Sequence, residues 1–133
     1  MKAAAIIAGI LFILLGAAGF VPALGPGGLL FGVLTVSEIQ SIVYIATGVL
    51  GLLLGFGGET SGRNFFRIFG AVYALIAILG FMHVNGASMG IEMNTADNVL
   101  HAVIAAIGLC IGFISRRPVV PPPGPRHDLR EWA

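Results

Sequence analysis

The chain has 133 residues, 57% of them apolar and only 10% charged, with 20 glycines, a net charge of +1 and a mean hydropathy of +0.99. A soluble domain carries about 25% charged residues, so this composition is that of a membrane protein and excludes an ordinary water-soluble enzyme. There is no phosphate-cradling loop, no nucleophile triad and no basic excess, so nucleic acid is not an expected partner.

Four apolar stretches succeed one another: residues 3–24, 39–57, 64–83 and 97–115. Each approaches or exceeds the ~20 residues with which a helix crosses ~30 Å of hydrocarbon, and each is predicted to be a transmembrane helix. The first follows Lys2 and contains Val21-Pro22-Ala23, which resembles a leader cleavage site. Its apolar run exceeds the ~7–15 residues of a signal-peptide core, so it is read as a retained span. The single cysteine, Cys110, lies within the last run, where a buried, inert thiol is expected. Residues 1–115 therefore form one membrane domain, followed by a Pro-rich tail, 116–133, whose prolines forbid a continuous helix.

Orientation follows from the basic residues. Lys2, Arg63, Arg67, Arg116, Arg117, Arg126 and Arg130 all fall on one side of a four-span topology. By the positive-inside rule both termini and the short GGETSGR connection are cytoplasmic, and residues 25–38 and 84–96 face outward. Arg67, at the inner end of the third span, is expected to snorkel to phosphate headgroups.

The sequence also repeats. GVLGLLLGF (48–56) resembles AAIGLCIGF (105–113) at an offset of 57, and Gly9, Gly19 and Phe20 align with Gly70, Gly80 and Phe81 at an offset of 61. The predicted fold is all-α, a bundle of four transmembrane helices made of two similar helical hairpins. At 3.6 residues per turn, Gln40, Tyr44, Gly48, Gly51 and Gly55 share one face of the second helix, and Asp97, His101, Ala105, Gly108 and Gly112 share one face of the fourth. The GxxxG spacing of Gly51 with Gly55 and Gly108 with Gly112 lets backbones approach closely.

Polar groups crowd the start of the fourth span in NTADNVLH (94–101), and the offset of 57 places Gln40, Ser41 and Tyr44 opposite Asp97, Asn98 and His101. Asn94 or Thr95 is expected to cap the helix, with Asp97 in its first turn meeting the positive end of the helix dipole. His101 lies one turn below Asp97, where it could donate to the carboxylate. Asp97, Asn98, His101, Gln40 and Tyr44 are then read as a polar interhelical layer, a clamp between hairpins. The competing reading is a proton or cation site, because ionisable groups inside a membrane are costly. Asp97, His101, His83 and Glu38 offer metal-ligand atoms, but only Asp97 with His101 has a suggestive spacing. No cofactor is expected. Glu38 and Glu92 make the outer rim acidic, with no basic residue beside them.

The four short spans, the Gly-rich second helix and above all Asn94, Thr95, Ala96, Asp97, Asn98 and His101 resemble the uncharacterised bacterial membrane proteins grouped as domain of unknown function 4383. The resemblance covers roughly residues 5–115. It implies a bacterial inner-membrane location and a four-helix fold, and no biochemical activity. Members of that family show histidines where this chain has Gln40 and Tyr44, so a histidine cluster spanning both hairpins, for metal or haem, is not implied here. The functional expectation is a non-enzymatic scaffold or subunit that acts through helix association, in contact with the lipid bilayer and with a second copy or another membrane protein. A small transporter or channel component is the alternative.

Overall fold

The computed structural model describes residues 1–35, 37–82 and 93–114. Four helices carry the structure: α1 (Lys2–Ala18), α2 (Glu38–Phe56), α3 (Glu59–Phe81) and α4 (Thr95–Phe113). Expectations that concern His83, Glu92 and the tail fall outside the described residues. With 19, 23 and 19 residues, α2, α3 and α4 are long and apolar enough to cross a membrane. The 17 residues of α1 rise about 26 Å at 1.5 Å each, the short end of spanning length.

Two helix boundaries differ from expectation. The first apolar run was expected to be helical to residue 24, yet α1 stops at Ala18. Pro22 has no N–H to continue a helix and holds its neighbour Val21 extended, at φ −97° and ψ 106°. Short 3-10 turns at Pro22–Leu24 and Pro26–Gly28 follow. At the other end of the bundle the GGETSGR connection is largely helix, because α3 starts at Glu59 rather than at 64. Only Gly58, at φ +113°, breaks the chain there, and Glu59 favours the helix start from its first turn. Glu59 also accepts a hydrogen bond from Lys2 N (3.3 Å), which ties the starts of α1 and α3 together.

The connection between α1 and α2 contains two short strands, β1 (Leu29–Leu30) and β2 (Leu34–Thr35), paired antiparallel with Leu30 opposite Leu34. Phe31 and Gly32, at φ +53° and +74°, turn the chain in the three-residue connection, where Val33 N donates to Leu30 O (3.1 Å). Strands of two residues leave no alternation to read in advance.

Among the described residues, no leucine, isoleucine or valine of the four helices is buried. They cover the outside, with Leu11 60%, Leu53 62% and Leu75 57% exposed. The interior holds glycine, alanine, aromatic and polar side chains instead. Small residues allow this inversion by bringing backbones into contact. A Cβ on Gly48 would lie 2.5 Å from the Gly9 carbonyl oxygen, and one on Gly9 would lie 2.7 Å from the Gly48 oxygen, so α1 and α2 touch there. In α3 and α4, a Cβ on Gly70 would lie 2.8 Å from Leu109 N, and one on Gly108 would lie 3.1 Å from Gly70 Cα. Nearer one end, a Cβ on Gly19 would strike the Ser41 side chain and one on Gly80 the Asn98 side chain.

Gly48→Ala and Gly70→Ala are each expected to lower the thermal unfolding midpoint in detergent, since overpacking of this kind costs about 1–3 kcal/mol. Ala106→Leu, on the exposed face of α4, leaves the midpoint unchanged. Equal midpoints in all three variants would show that the helices do not meet through these glycines.

Candidate functional site: a buried polar layer

The layer begins with the start of α4. Asn94 is the N-cap: its Oδ1 accepts from Asp97 N (2.9 Å), and Asp97 Oδ2 accepts in return from Asn94 N (2.9 Å). This reciprocal pair satisfies two backbone donors that a helix start leaves open. Thr95 lies within the helix and is exposed. The same Asp97 Oδ2 accepts from Thr35 N (3.2 Å) at the end of β2, and Asn94 Nδ2 donates to Val33 O (2.8 Å). The β-hairpin is thus pinned on top of α4.

Asp97 has no exposed surface. Its second oxygen, Oδ1, accepts from Gln40 Nε2 on α2 at 3.5 Å. Gln40 reaches it because Ser37 caps α2, with Ser37 Oγ accepting from Gln40 N (3.1 Å). The other hydrogen of Gln40 Nε2 goes to the Tyr44 hydroxyl one turn below (3.2 Å), and that hydroxyl lies 3.0 Å from His101 Nε2. The Tyr44 oxygen has a second lone pair beside the one that Gln40 occupies, so the tautomer of His101 sets which of the two groups donates. An Asp97–His101 hydrogen bond, the expectation from their spacing, does not form: Asp97 is turned back to cap its own helix, and His101 reaches across to α2.

Four rings pack beneath, one from each helix. Tyr44 and His101 lie 6.1 Å apart, Tyr73 and His101 5.5 Å, Phe12 and Tyr73 5.5 Å, and Phe12 and Tyr44 6.1 Å, which closes the circuit. Tyr73, 1% exposed, shares a hydrogen bond with Thr47 Oγ1 (3.2 Å). Polar contacts therefore run from the β-hairpin to Thr47, midway along α2. Sequence reasoning missed Phe12, Thr47 and Tyr73. A signal was present, because Phe12 and Tyr73 stand three residues after Gly9 and Gly70, which the offset of 61 already aligned.

The other singled-out residues lie apart. Asn98 is buried but turns toward Gly80 of α3. Glu38 is exposed in the first turn of α2. Among the described residues, no group of three or more His, Cys, Asp or Glu side chains could hold a metal ion. Gly48, Gly51, Gly55, Gly108 and Gly112 are all buried. Cys110, expected to be buried, is exposed. It follows Gly108 by two residues, which puts it about 200° around the helix from the inner face. Arg67 Nε donates to Gly112 O (2.8 Å), and its guanidinium lies 5.1 Å from the Phe113 ring. It thereby satisfies a carbonyl at the end of α4, where the helix dipole favours a cation.

A family model described as a domain of unknown function (DUF4383) matches residues 2–114. No curated protein and no solved structure matches the chain.

Asp97→Ala leaves the amides of Thr35 and Asn94 and the Gln40 amide without their acceptor, so a loss of about 1–3 kcal/mol in stability is expected, together with faster hydrogen exchange at the Thr35 amide. Asp97→Asn, which keeps one acceptor oxygen, should lose less. Unchanged exchange at Thr35 in Asp97→Ala would mean that the carboxylate does not hold the hairpin.

Proposed function

The chain belongs to that family of uncharacterised domains, and we propose that it is a multi-pass protein of the bacterial inner membrane that acts by association rather than catalysis, as a small scaffold or subunit. In this reading α1 crosses with the other three helices, α1–α2 and α3–α4 are two similar hairpins, and both termini are cytoplasmic. The restriction of Lys2, Arg63, Arg67 and the tail arginines to one side supports that orientation. The matched contacts of Gly19 with Ser41 and Gly80 with Asn98 support the two-hairpin reading.

One observation carries the scaffold role. Both Asp97 oxygens are taken by donors of the same chain, and the carboxylate has no exposed surface. A charge held this way fixes the register of α4 against α2 and the hairpin, and presents no open mouth to a substrate. What remains for partners is the apolar outer face of the helices, which suits lipid, a second copy or another membrane protein. Neither a cofactor nor nucleic acid enters this reading.

A second reading, a proton or cation site in a small transporter or channel component, is favoured by three buried atoms that lack partners among the described residues: Gln40 Oε1, Asn98 Oδ1 and His101 Nδ1. The two readings separate at His101. If the layer is a clamp, His101→Gln preserves the unfolding midpoint in detergent, whereas His101→Leu leaves the buried Tyr44 hydroxyl with Gln40 alone and costs about 1–3 kcal/mol. The midpoint should also be indifferent to zinc and other divalent cations across about pH 5 to 8, the range in which histidine titrates. A cation-dependent rise that disappears in His101→Gln would replace the scaffold reading with a binding site. The orientation is tested separately, since a reporter fused after residue 133 should be active only in its cytoplasmic form.

A further inference from the structure

The two halves of the bundle differ where α1 meets α4. Between these helices, over a floor made by α3, lies a crevice of about 270 Å³ lined by residues such as Ala8, Phe12, Phe66, Gly70, Leu100 and Ile104, with no polar side chain. It opens on the flank of the bundle past Leu11 and Ile107, which are 60% and 55% exposed. Along α1 it runs from Ala8 to Leu15, about 10 Å at 1.5 Å per residue. On α4 these residues run from Leu100 to Gly108, in the middle of the helix, and on α1 they reach from Ala8 to Leu15 in its last turn.

The repeat shows what this space lacks. At offsets of 61 and 57 the corresponding gap lies between α3 and α2, and there it is filled. Phe65 is 1% exposed and presses on Gly51, where an added Cβ would lie 3.0 Å from the ring. Phe65, Phe66 and Phe69 of α3 correspond to Ala4, Ala5 and Ala8 of α1, and Gly51 corresponds to Gly108. The three atoms nearest a Cβ on Gly108 all belong to α3, with none from α1. Phe65, Phe66 and Phe69 also floor the crevice, and of the three alanines only Ala8, the counterpart of Phe69, lines it, so the wall that α1 gives it carries a methyl group where α3 carries a ring.

We propose that an acyl chain of a membrane phospholipid occupies this crevice and supplies the apolar volume that Ala8 of α1 leaves where α3 carries Phe69. The assignment rests on the membrane reading above. An apolar cavity does not hold water, and walls without neighbours forfeit dispersion contacts. The open side faces the flank of the helices, where the membrane offers hydrocarbon chains. Because the crevice has no polar lining, it takes a stretch of hydrocarbon chain and makes no contact with the headgroup.

The test uses the full chain and two variants. Ala8→Phe places in α1 the ring that α3 carries at Phe69, and Ile107→Trp covers the opening from an exposed position. Resistance of the chain to carbonate extraction from membranes checks the membrane reading by itself, and release into the supernatant would overturn that reading. Native mass spectrometry after exchange into detergent with added phosphatidylglycerol or phosphatidylethanolamine then reads bound lipid, with circular dichroism to verify helical folding. The wild type is expected to retain one phospholipid with either headgroup, and both variants to retain about tenfold less, a change of about 1.4 kcal/mol in binding. Equal retention by wild type and both folded variants would overturn the proposal. So would retention that depends on one headgroup, or a lipid-free dimer that Ala8→Phe dissociates.

Discussion

Backbone contact at glycine is the constraint on which this bundle depends. Where Gly9 meets Gly48 and Gly70 meets Gly108, the chains run too close for any side chain to lie between them. Lipid tails are as apolar as leucine, so burying leucine gains little inside a membrane, whereas close van der Waals contact and internal hydrogen bonds do stabilise helix pairs. The large aliphatic residues consequently face outward. The buried side chains of the helices are alanine, aromatic or polar.

The polar layer follows from the same geometry. A carboxylate without exposed surface needs dipoles aimed at it, and Asp97 receives them from the start of its own helix, from the end of β2 and from Gln40. No two of these donors come from the same element. Asp97 therefore holds α4, the β-hairpin and α2 in one arrangement, and the Tyr44–His101 contact continues that arrangement inward to the ring cluster with Phe12 and Tyr73.

The sequence made much of this legible through periodicity. The 3.6-residue recurrence of Gly48, Gly51 and Gly55, and of Ala105, Gly108 and Gly112, marks two helix faces before any coordinates are known. Pro22 marks the end of α1 by its missing N–H, although length alone argued for a longer helix. Other features had no such mark. Thr35 donates from its backbone, which no side-chain pattern records, and β1 and β2 are too short to alternate. The polar run before Asn64 reads as a loop, yet Gly58 alone makes the break. Arg67 shows a different limit: nothing in its type or position announces the Gly112 carbonyl, which comes within reach only because α3 and α4 lie close together. Cys110 was legible from its angle on the helix, and expecting burial from its apolar surroundings alone misled.

The inverted interior has a consequence for how such a sequence can drift. In a water-soluble domain the outside tolerates change and the core resists it. Here the outside asks only for some apolar side chain, so Leu, Ile, Val and Phe can replace one another there over generations with little effect on the fold. The inside asks for particular atoms or for none: Asp97 for its two oxygens, Gly48 and Gly70 for the absence of a Cβ. Descendants of this chain should therefore diverge fastest in the residues that make it hydrophobic, while its identity persists in glycines and a few polar side chains.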